Sequence, residues 1–193
     1  MNEIETRIKK SIAVKEKLLL SQSMIQSIDH AGSLIGLCIK NGGKVVFCGN
    51  GGSFADAQHL CAEFVSKLID DRHALPAIAL GVNCSNITAI ANDYGFETIF
   101  SRELSCLGNP DDVLVAITTS GKSENVLQAI TTASQLGMKV ILMTGEKKRK
   151  ILADMIEINV PSNETMHIQE AHIMIGHIIC EIAEKIAYSE GQR

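Results

Sequence analysis

The sequence predicts an α/β domain with a doubly wound, five-stranded, mainly parallel sheet and long helices at both termini. Five short apolar runs follow one another along the chain, and such runs are typical of strands buried on both faces of a parallel sheet. Helix-like segments separate them, which indicates that helices cover both faces. With 193 residues the chain is long enough for one such domain with a sizeable core.

The elements follow from the apolar pattern in chain order. Ile4, Ile8 and Ile12 recur at four-residue spacing, so residues 2 to about 40 predict a helical segment that ends at the NGG of 41–43. The last 25 or so residues predict a helix that is apolar nearly all round. Between these lie predicted strands at 44–49, 77–81, 112–118, 139–145 and 156–161, and predicted helices at 52–69, 84–107, 123–137 and near 147–154.

The two terminal helices are more than one five-stranded sheet needs for cover. We therefore expect them to pack against each other and against other subunits. Three prolines, without repeats or low-complexity segments, argue against a domain boundary. We expect one domain over 1–193, in which 1–40 serves oligomer packing and 44–189 forms the α/β core.

Composition excludes several classes of protein. Hydrophobic residues make up 46% and charged residues 21%, an ordinary globular composition, and the net charge of −4 gives no support to nucleic-acid or membrane binding. The charged N-terminus lacks the apolar stretch of a signal peptide, and no apolar run approaches a membrane span. Six cysteines without a C-x-x-C pair lie in or beside apolar runs, where we expect them reduced and buried. These features predict a cytoplasmic protein.

Two strands end in loops of small residues that begin helices, GNGGS at 49–53 and TTSGKS at 118–123. Neither is a nucleotide loop, because Phe54 closes the first in place of the Rossmann glycine or alanine and Ala116 replaces the first glycine of a Walker A motif. Helix N-termini bind anions. A helix cap needs one hydroxyl, whereas the second loop supplies four, which favours a phosphate site: Thr118, Thr119, Ser120 and Ser123. Both loops are expected at the carboxyl edge of the sheet.

Polar residues also interrupt two apolar helices. His59 and Glu63 are four apart and share one helix face. The C-terminal helix carries its own set among apolar residues: Gln169, Glu170, His172 and His177. A lone helical histidine is usually a satisfied core residue, but two helices that each add a carboxylate or amide predict a site, since burying such groups without partners is costly. These side chains can hold a divalent metal, although glutamine is an unusual zinc ligand.

Four segments carry a family likeness: CGNGGSFADAQHLCAEF, AIANDYGFETIFSREL, DVLVAITTSGKSENVLQAI and IQEAHIMIGH. In this order, over about 44–187, they resemble the phosphoheptose isomerases of the flavodoxin-like SIS fold. The resemblance implies interconversion of sedoheptulose 7-phosphate and D-glycero-D-manno-heptose 7-phosphate through an enediol, the first step of nucleotide-activated heptose biosynthesis. It further implies a homotetramer with active sites at subunit interfaces and one Zn²⁺ per subunit.

The resemblance also implies roles for individual residues. Glu63 and His177 would form the acid–base pair. The metal ligands would be His59, Glu63, Gln169 and His177. Substrate would be bound by Asn50, Gly51, Gly52, Ser53, Glu63, Asn92, Asp93, Thr118, Thr119, Ser120, Ser123 and Gln169.

Some positions depart from the family pattern. Lys67 and His167 stand where the family often has arginine, and a lysine cannot give the same bidentate contact.

Two alternative functions stay open at this point. One is an adaptor of the same fold that binds the bacterial replication initiator, a group that lacks the carboxylate and imidazole matching Glu63 and His177. The other is an isomerase or sensor of a different sugar phosphate.

Overall fold

A computed structural model of the chain describes residues 2–69, 71–146 and 155–188. The N-terminal segment consists of two helices, α1 (Glu3–Leu20) and α2 (Gln22–Lys40). The single segment expected from the sequence is broken at Ser21, whose extended backbone ends α1 and whose hydroxyl accepts a hydrogen bond from the Met24 N–H at the start of α2. This is a side-chain cap of the usual kind.

Five parallel strands form the sheet that the sequence predicts, in the order β2-β1-β3-β4-β5. This is the flavodoxin-like order, in which the winding reverses between β1 and β3. The strands are β1 (Val45–Gly49), β2 (Ala77–Ala79), β3 (Val113–Ile117), β4 (Lys139–Gly145) and β5 (Met155–Val160).

The remaining helices are α3 (Gly52–Val65), α4 (Cys84–Tyr94), α5 (Ile99–Leu107), α6 (Glu124–Gln135) and α7 (Thr165–Tyr188). The helix expected over 84–107 is divided because Gly95 takes a φ of 92°, a conformation that suits glycine, and a short 3-10 helix (Phe96–Thr98) follows it. The helix expected over 52–69 ends earlier, at Val65. The short helix expected near 147–154 lies outside the described residues.

Alternate strand residues divide the core into two layers. Phe47, Val115 and Ile141 face the layer that contains α2, α3 and α7, whereas Cys48, Leu114 and Leu142 face the layer that contains α5 and α6. This alternation follows from the two-residue period of a strand. Both faces are buried, so the strands read as continuous apolar runs.

The two terminal segments pack on each other, as expected. Gly32 and Gly36 of α2 lie directly against Ile182 and Ile186 of α7. In contrast, Ile4, Ile8 and Ile12 of α1 are 65%, 55% and 49% exposed in the single chain. An exposed apolar stripe of this kind is characteristic of an interaction surface.

The cysteines are free thiols, as expected, but only part of the burial prediction is correct. Cys38, Cys48 and Cys180 are buried, whereas Cys84 and Cys106 are exposed. Cys84 begins α4 and Cys106 lies in the last turn of α5. Neither helix end is covered, so proximity to an apolar run did not imply burial.

Within the described residues, none of the helices combines the length and the apolar character that a membrane crossing requires.

Candidate active site

The two polar loops meet at the carboxyl edge of the sheet. Gly49 at the end of β1 pairs with Ile117 at the end of β3, so the segments that follow are neighbours. Asn50 and Asn125 join them through two reciprocal amide hydrogen bonds of 2.8 and 2.9 Å. Asn125 is 3% exposed and also accepts a hydrogen bond from the Val126 N–H. The Asn50 side chain is therefore engaged within the protein and holds the two loops in one arrangement.

The first loop makes a tight turn into α3. Gly51 has a φ of 58°, which favours glycine, and precedes the first helical residue, Gly52. A Cβ at position 52 would lie 2.3 Å from Nε2 of Gln169, so Gly52 leaves room for that amide. Ser53 is buried and packs on Gly49.

The second loop brings two of its four expected hydroxyl groups together. Thr118 and Ser123 lie with their hydroxyl oxygens 3.2 Å apart, and the Ser120 hydroxyl accepts a hydrogen bond from the Lys122 N–H. Ser123 occupies the N-cap of α6, yet its side chain makes no capping hydrogen bond there. Its hydroxyl thus remains directed at Thr118 and toward the helix N-terminus, an arrangement that suits an anion better than a simple cap.

The polar residues of α3 and α7 converge, as the pattern predicts. The Nε2 atoms of His59 and His177 lie 2.8 Å apart, and Oε1 of Glu63 lies 3.1 Å from Nε2 of His59. One ligand atom from each of these three residues lies within 4.8 Å of the other two. Glu63 and His177 are half-buried, whereas the His59 side chain is 49% exposed. The cluster therefore opens to the surface of this chain.

The structure distinguishes the two candidates at positions 169 and 170. Gln169 faces α3, where its amide lies over Gly52, seven residues or about 10 Å of helix rise before His59. Glu170 faces away, toward α1, where it contacts Ser11 and Lys15. Gln169 is thus on the side of α7 that faces α3, and its role as a metal ligand stays a prediction.

The other polar residues singled out in the sequence lie apart from this cluster. His172 is fully buried, with Nε2 3.3 Å from the Thr144 carbonyl oxygen, and burial lowers its pKa to about 4. Asn92 and Asp93 are exposed in α4 and hydrogen-bond to each other. Near the first loop, a cavity of about 180 Å³ lies between Asn50, Gly51, Phe54 and the apolar residues of 96–100.

Two residues that support the site were not identified from the sequence. Asn125 has a weak signal, a polar amide in the first turn of a helix next to the hydroxyl-rich loop. Arg72 has no local signal, since DDRH at 70–73 is typical of a solvated loop. Its guanidinium nevertheless donates a hydrogen bond of 2.7 Å to the backbone carbonyl of Glu63.

The donor set fits a divalent metal such as zinc. Two imidazole nitrogens at 2.8 Å can form a hydrogen bond only if one of them carries a proton, whereas a cation binds the lone pairs of both. The Glu63 carboxylate adds an anionic oxygen at the same point. Histidine and carboxylate ligands, with a position left open to substrate, are typical of catalytic zinc.

Comparison with known proteins gives consistent results. A family model described as the SIS domain matches residues 9–145. The phosphoheptose isomerase of Clostridium acetobutylicum is 48% identical over 98% of this chain and 97% of its own length. The structure is similar to phosphoheptose isomerases from Francisella tularensis (TM-score 0.90, 40% identity, 95% of this chain and 97% of the other) and Neisseria gonorrhoeae (TM-score 0.85, 39% identity, 94% and 97%).

Proposed function

The chain belongs to the SIS-domain family of phosphoheptose isomerases, and from this premise we propose that it interconverts sedoheptulose 7-phosphate and D-glycero-D-manno-heptose 7-phosphate. The observation that supports this most directly is the convergence of His59, Glu63 and His177 from α3 and α7. In the proposed role, the enzyme catalyses the first step of nucleotide-activated heptose biosynthesis.

We propose that the 118–123 loop binds the phosphate. The hydroxyls of Thr118 and Ser123 and the N-terminus of α6 offer donors and a positive dipole end. Thr119 and Ser120 complete this set. A phosphate held far from the reacting carbons supplies binding energy that positions the other end of the sugar. Asn50, Gly51, Gly52, Ser53, Asn92 and Asp93 remain the proposed sugar contacts.

We propose that Glu63 and His177 carry out the proton transfers. Glu63 takes the proton from C1 of the ketose and returns it to C2, which passes the substrate through an enediol. His177 moves protons at the ring and carbonyl oxygens, a task that suits an imidazole near neutral pH. The two residues approach the same point from different helices, so they can act on adjacent atoms.

We propose His59, Glu63, Gln169 and His177 as zinc ligands. When bound, zinc acts as a Lewis acid that polarises the substrate carbonyl. A direct assay tests the whole proposal: the wild-type chain is expected to convert sedoheptulose 7-phosphate, to lose activity with a chelator and to regain it with added zinc. Absence of heptose product under all conditions would overturn the assignment.

The convergence of Glu63 and His177 also argues against the adaptor alternative, since the adaptor proteins lack both the carboxylate and the imidazole.

We propose a cytoplasmic homotetramer with active sites at subunit interfaces, on the basis of the exposed stripe Ile4, Ile8 and Ile12 and the half-exposed His59. Light scattering after size exclusion is expected to give four chains. Ile8→Glu is expected to reduce this number.

A further inference from the structure

The C-terminus of α3 is closed by a side chain from outside the helix. The last carbonyls of an α-helix have no partner within it. Arg72 donates hydrogen bonds from its guanidinium to the carbonyls of Glu63 (2.7 Å) and Phe64 (2.8 Å), and a longer one to Ser66 (3.3 Å). A cation at this end is also favoured by the helix dipole. The backbone of Glu63 is therefore fixed directly by Arg72.

The same guanidinium reaches α7. Its Nε lies 2.8 Å from Oε2 of Glu184, and the side chains of Arg72 and Glu184 are only 4% and 9% exposed. Glu184 is seven residues after His177, which places both on nearly the same face of α7. A second contact holds this connection, since the Tyr188 hydroxyl donates a hydrogen bond of 2.9 Å to the His73 carbonyl.

We propose that Arg72 and Glu184 are positioning residues that hold Glu63 in register with His177. This inference rests on the proposed function, because it concerns the same acid–base and metal-binding pair. Glu63 is held by its carbonyl, and His177 is on the helix that Glu184 anchors. The planar guanidinium contacts both partners at once, a geometry that a lysine ammonium cannot reproduce.

The part of α7 between His177 and Glu184 is packed into the core. Cys180 lies in α7 between His177 and Glu184 and is 3% exposed. Burial raises the pKa of its thiol, and the charges of Glu63 and Glu184 raise it further. Cys180 therefore stays a neutral thiol, buried in the core cluster that contains Leu60 and Phe64 of α3. Arg72 thus joins the end of α3 to α7 through the Glu63 carbonyl and the Glu184 carboxylate.

The test uses Glu184→Gln, which keeps the size of the side chain and removes its charge, together with Arg72→Lys. Zinc affinity is measured by competition with a chromophoric chelator, and kcat and KM by isomerisation of sedoheptulose 7-phosphate. Outer partners of metal ligands typically change affinity about 10- to 100-fold, so the zinc Kd is expected to rise by about that factor. The kcat is expected to fall while KM changes less than about threefold, because the phosphate loop is untouched.

Asp112→Asn is the matched control. The buried Asp112 forms another ion pair, with the half-buried Lys44, at the opposite edge of the sheet, before β1 and β3 begin. Its loss is expected to lower the Tm while the zinc Kd and kcat stay within about threefold of wild type. A role of Arg72 and Glu184 in stability alone would give this same result for their variants.

Each outcome decides the proposal. A folded Glu184→Gln with wild-type zinc Kd and kcat overturns it. If Arg72→Lys does not fold, Glu184→Gln decides, and if that variant does not fold either, the pair is a folding determinant and the proposal fails. A wild-type chain that binds zinc without isomerising the sugar would overturn the proposed function, whereas the zinc affinities would still test the positioning role. If the wild-type chain binds no zinc, the kcat of Glu184→Gln relative to wild type tests the positioning role.

Discussion

Substitution of Gly176 by alanine is expected to separate the two helices that carry the candidate active site. Gly176 precedes His177 in α7 and packs on Leu60, which follows His59 in α3. A Cβ at position 176 would lie 2.6 Å from both Cδ atoms of Leu60, whereas ordinary van der Waals contact begins at 3.4 Å. The two groups must therefore move apart by about 0.8 Å (3.4 less 2.6). Because Leu60 is only 1% exposed, its side chain has little room to turn aside, and we expect the helices to take up the shift.

The expected effect on stability is small and the effect on activity is large. Alanine improves helix propensity over glycine by about 1 kcal/mol, while overpacking costs about 1–3 kcal/mol. The free energy of unfolding should thus fall by about 0–2 kcal/mol. A displacement near 1 Å can cost about 100-fold in rate, so kcat/KM is expected to fall about 10- to 100-fold.

Gly36→Ala provides the matched control. A Cβ there would lie 2.7 Å from Cβ of Ile186, which requires a shift of about 0.7 Å (3.4 less 2.7) at the α2–α7 contact. The assay is isomerisation of sedoheptulose 7-phosphate, with urea unfolding of both variants. Leu60→Val should restore part of the activity of Gly176→Ala, because it removes both Cδ atoms. If Gly176→Ala and Gly36→Ala lowered kcat/KM alike, helix separation could not be the cause.

Three further changes are expected to have distinct effects. Glu63→Gln should lower kcat at least about 100-fold with the fold intact by circular dichroism, and near-normal turnover would contradict its role. Asn125→Ala should raise KM about tenfold in steady-state kinetics because it unlinks Asn50 from the second loop; an unchanged KM would refute the link. Burial lowers the pKa of His172 to about 4 from 6.5, so the unfolded state takes up a proton first as pH falls. The free energy of unfolding should drop by roughly 3 kcal/mol between pH 6.5 and 4, and urea titrations should show a flatter profile for His172→Gln.

The sheet could be predicted because its signal is local. A strand buried on both faces, such as VVFCG of β1, needs apolar residues at every position, and the run is visible without knowledge of its neighbours. The break at Ser21 could not be predicted from periodicity, since apolar residues continue on both sides of it. There the Ser21 hydroxyl caps the second helix, a local hydrogen bond that competes with continuing the first.

The site was predictable to the extent that it is local or shared with the family. His59 and Glu63 meet because they are four residues apart on a helix. Their approach to His177 depends on how α3 packs on α7, which the polar residues of the two helices indicated and the family resemblance made specific. The choice between Gln169 and Glu170 depends on where α1 docks, since Lys15 and Ser11 attract the carboxylate to the far side of α7.

The candidate site is built partly on loops at the sheet edge and partly on the helices α3 and α7, so substitutions in the two parts should have different kinetic effects. The proposed phosphate contacts lie on loops at the sheet edge, which Asn125 and Asn50 fix to each other. The proposed acid–base pair lies on two helices, which Arg72 and Glu184 connect. A heptose 7-phosphate carries its phosphate and its reacting carbons at opposite ends, so the two supports act on different ends of one substrate. Substitutions of Asn50 or Asn125 should therefore change mainly KM, and substitutions of Arg72 or Glu184 mainly kcat.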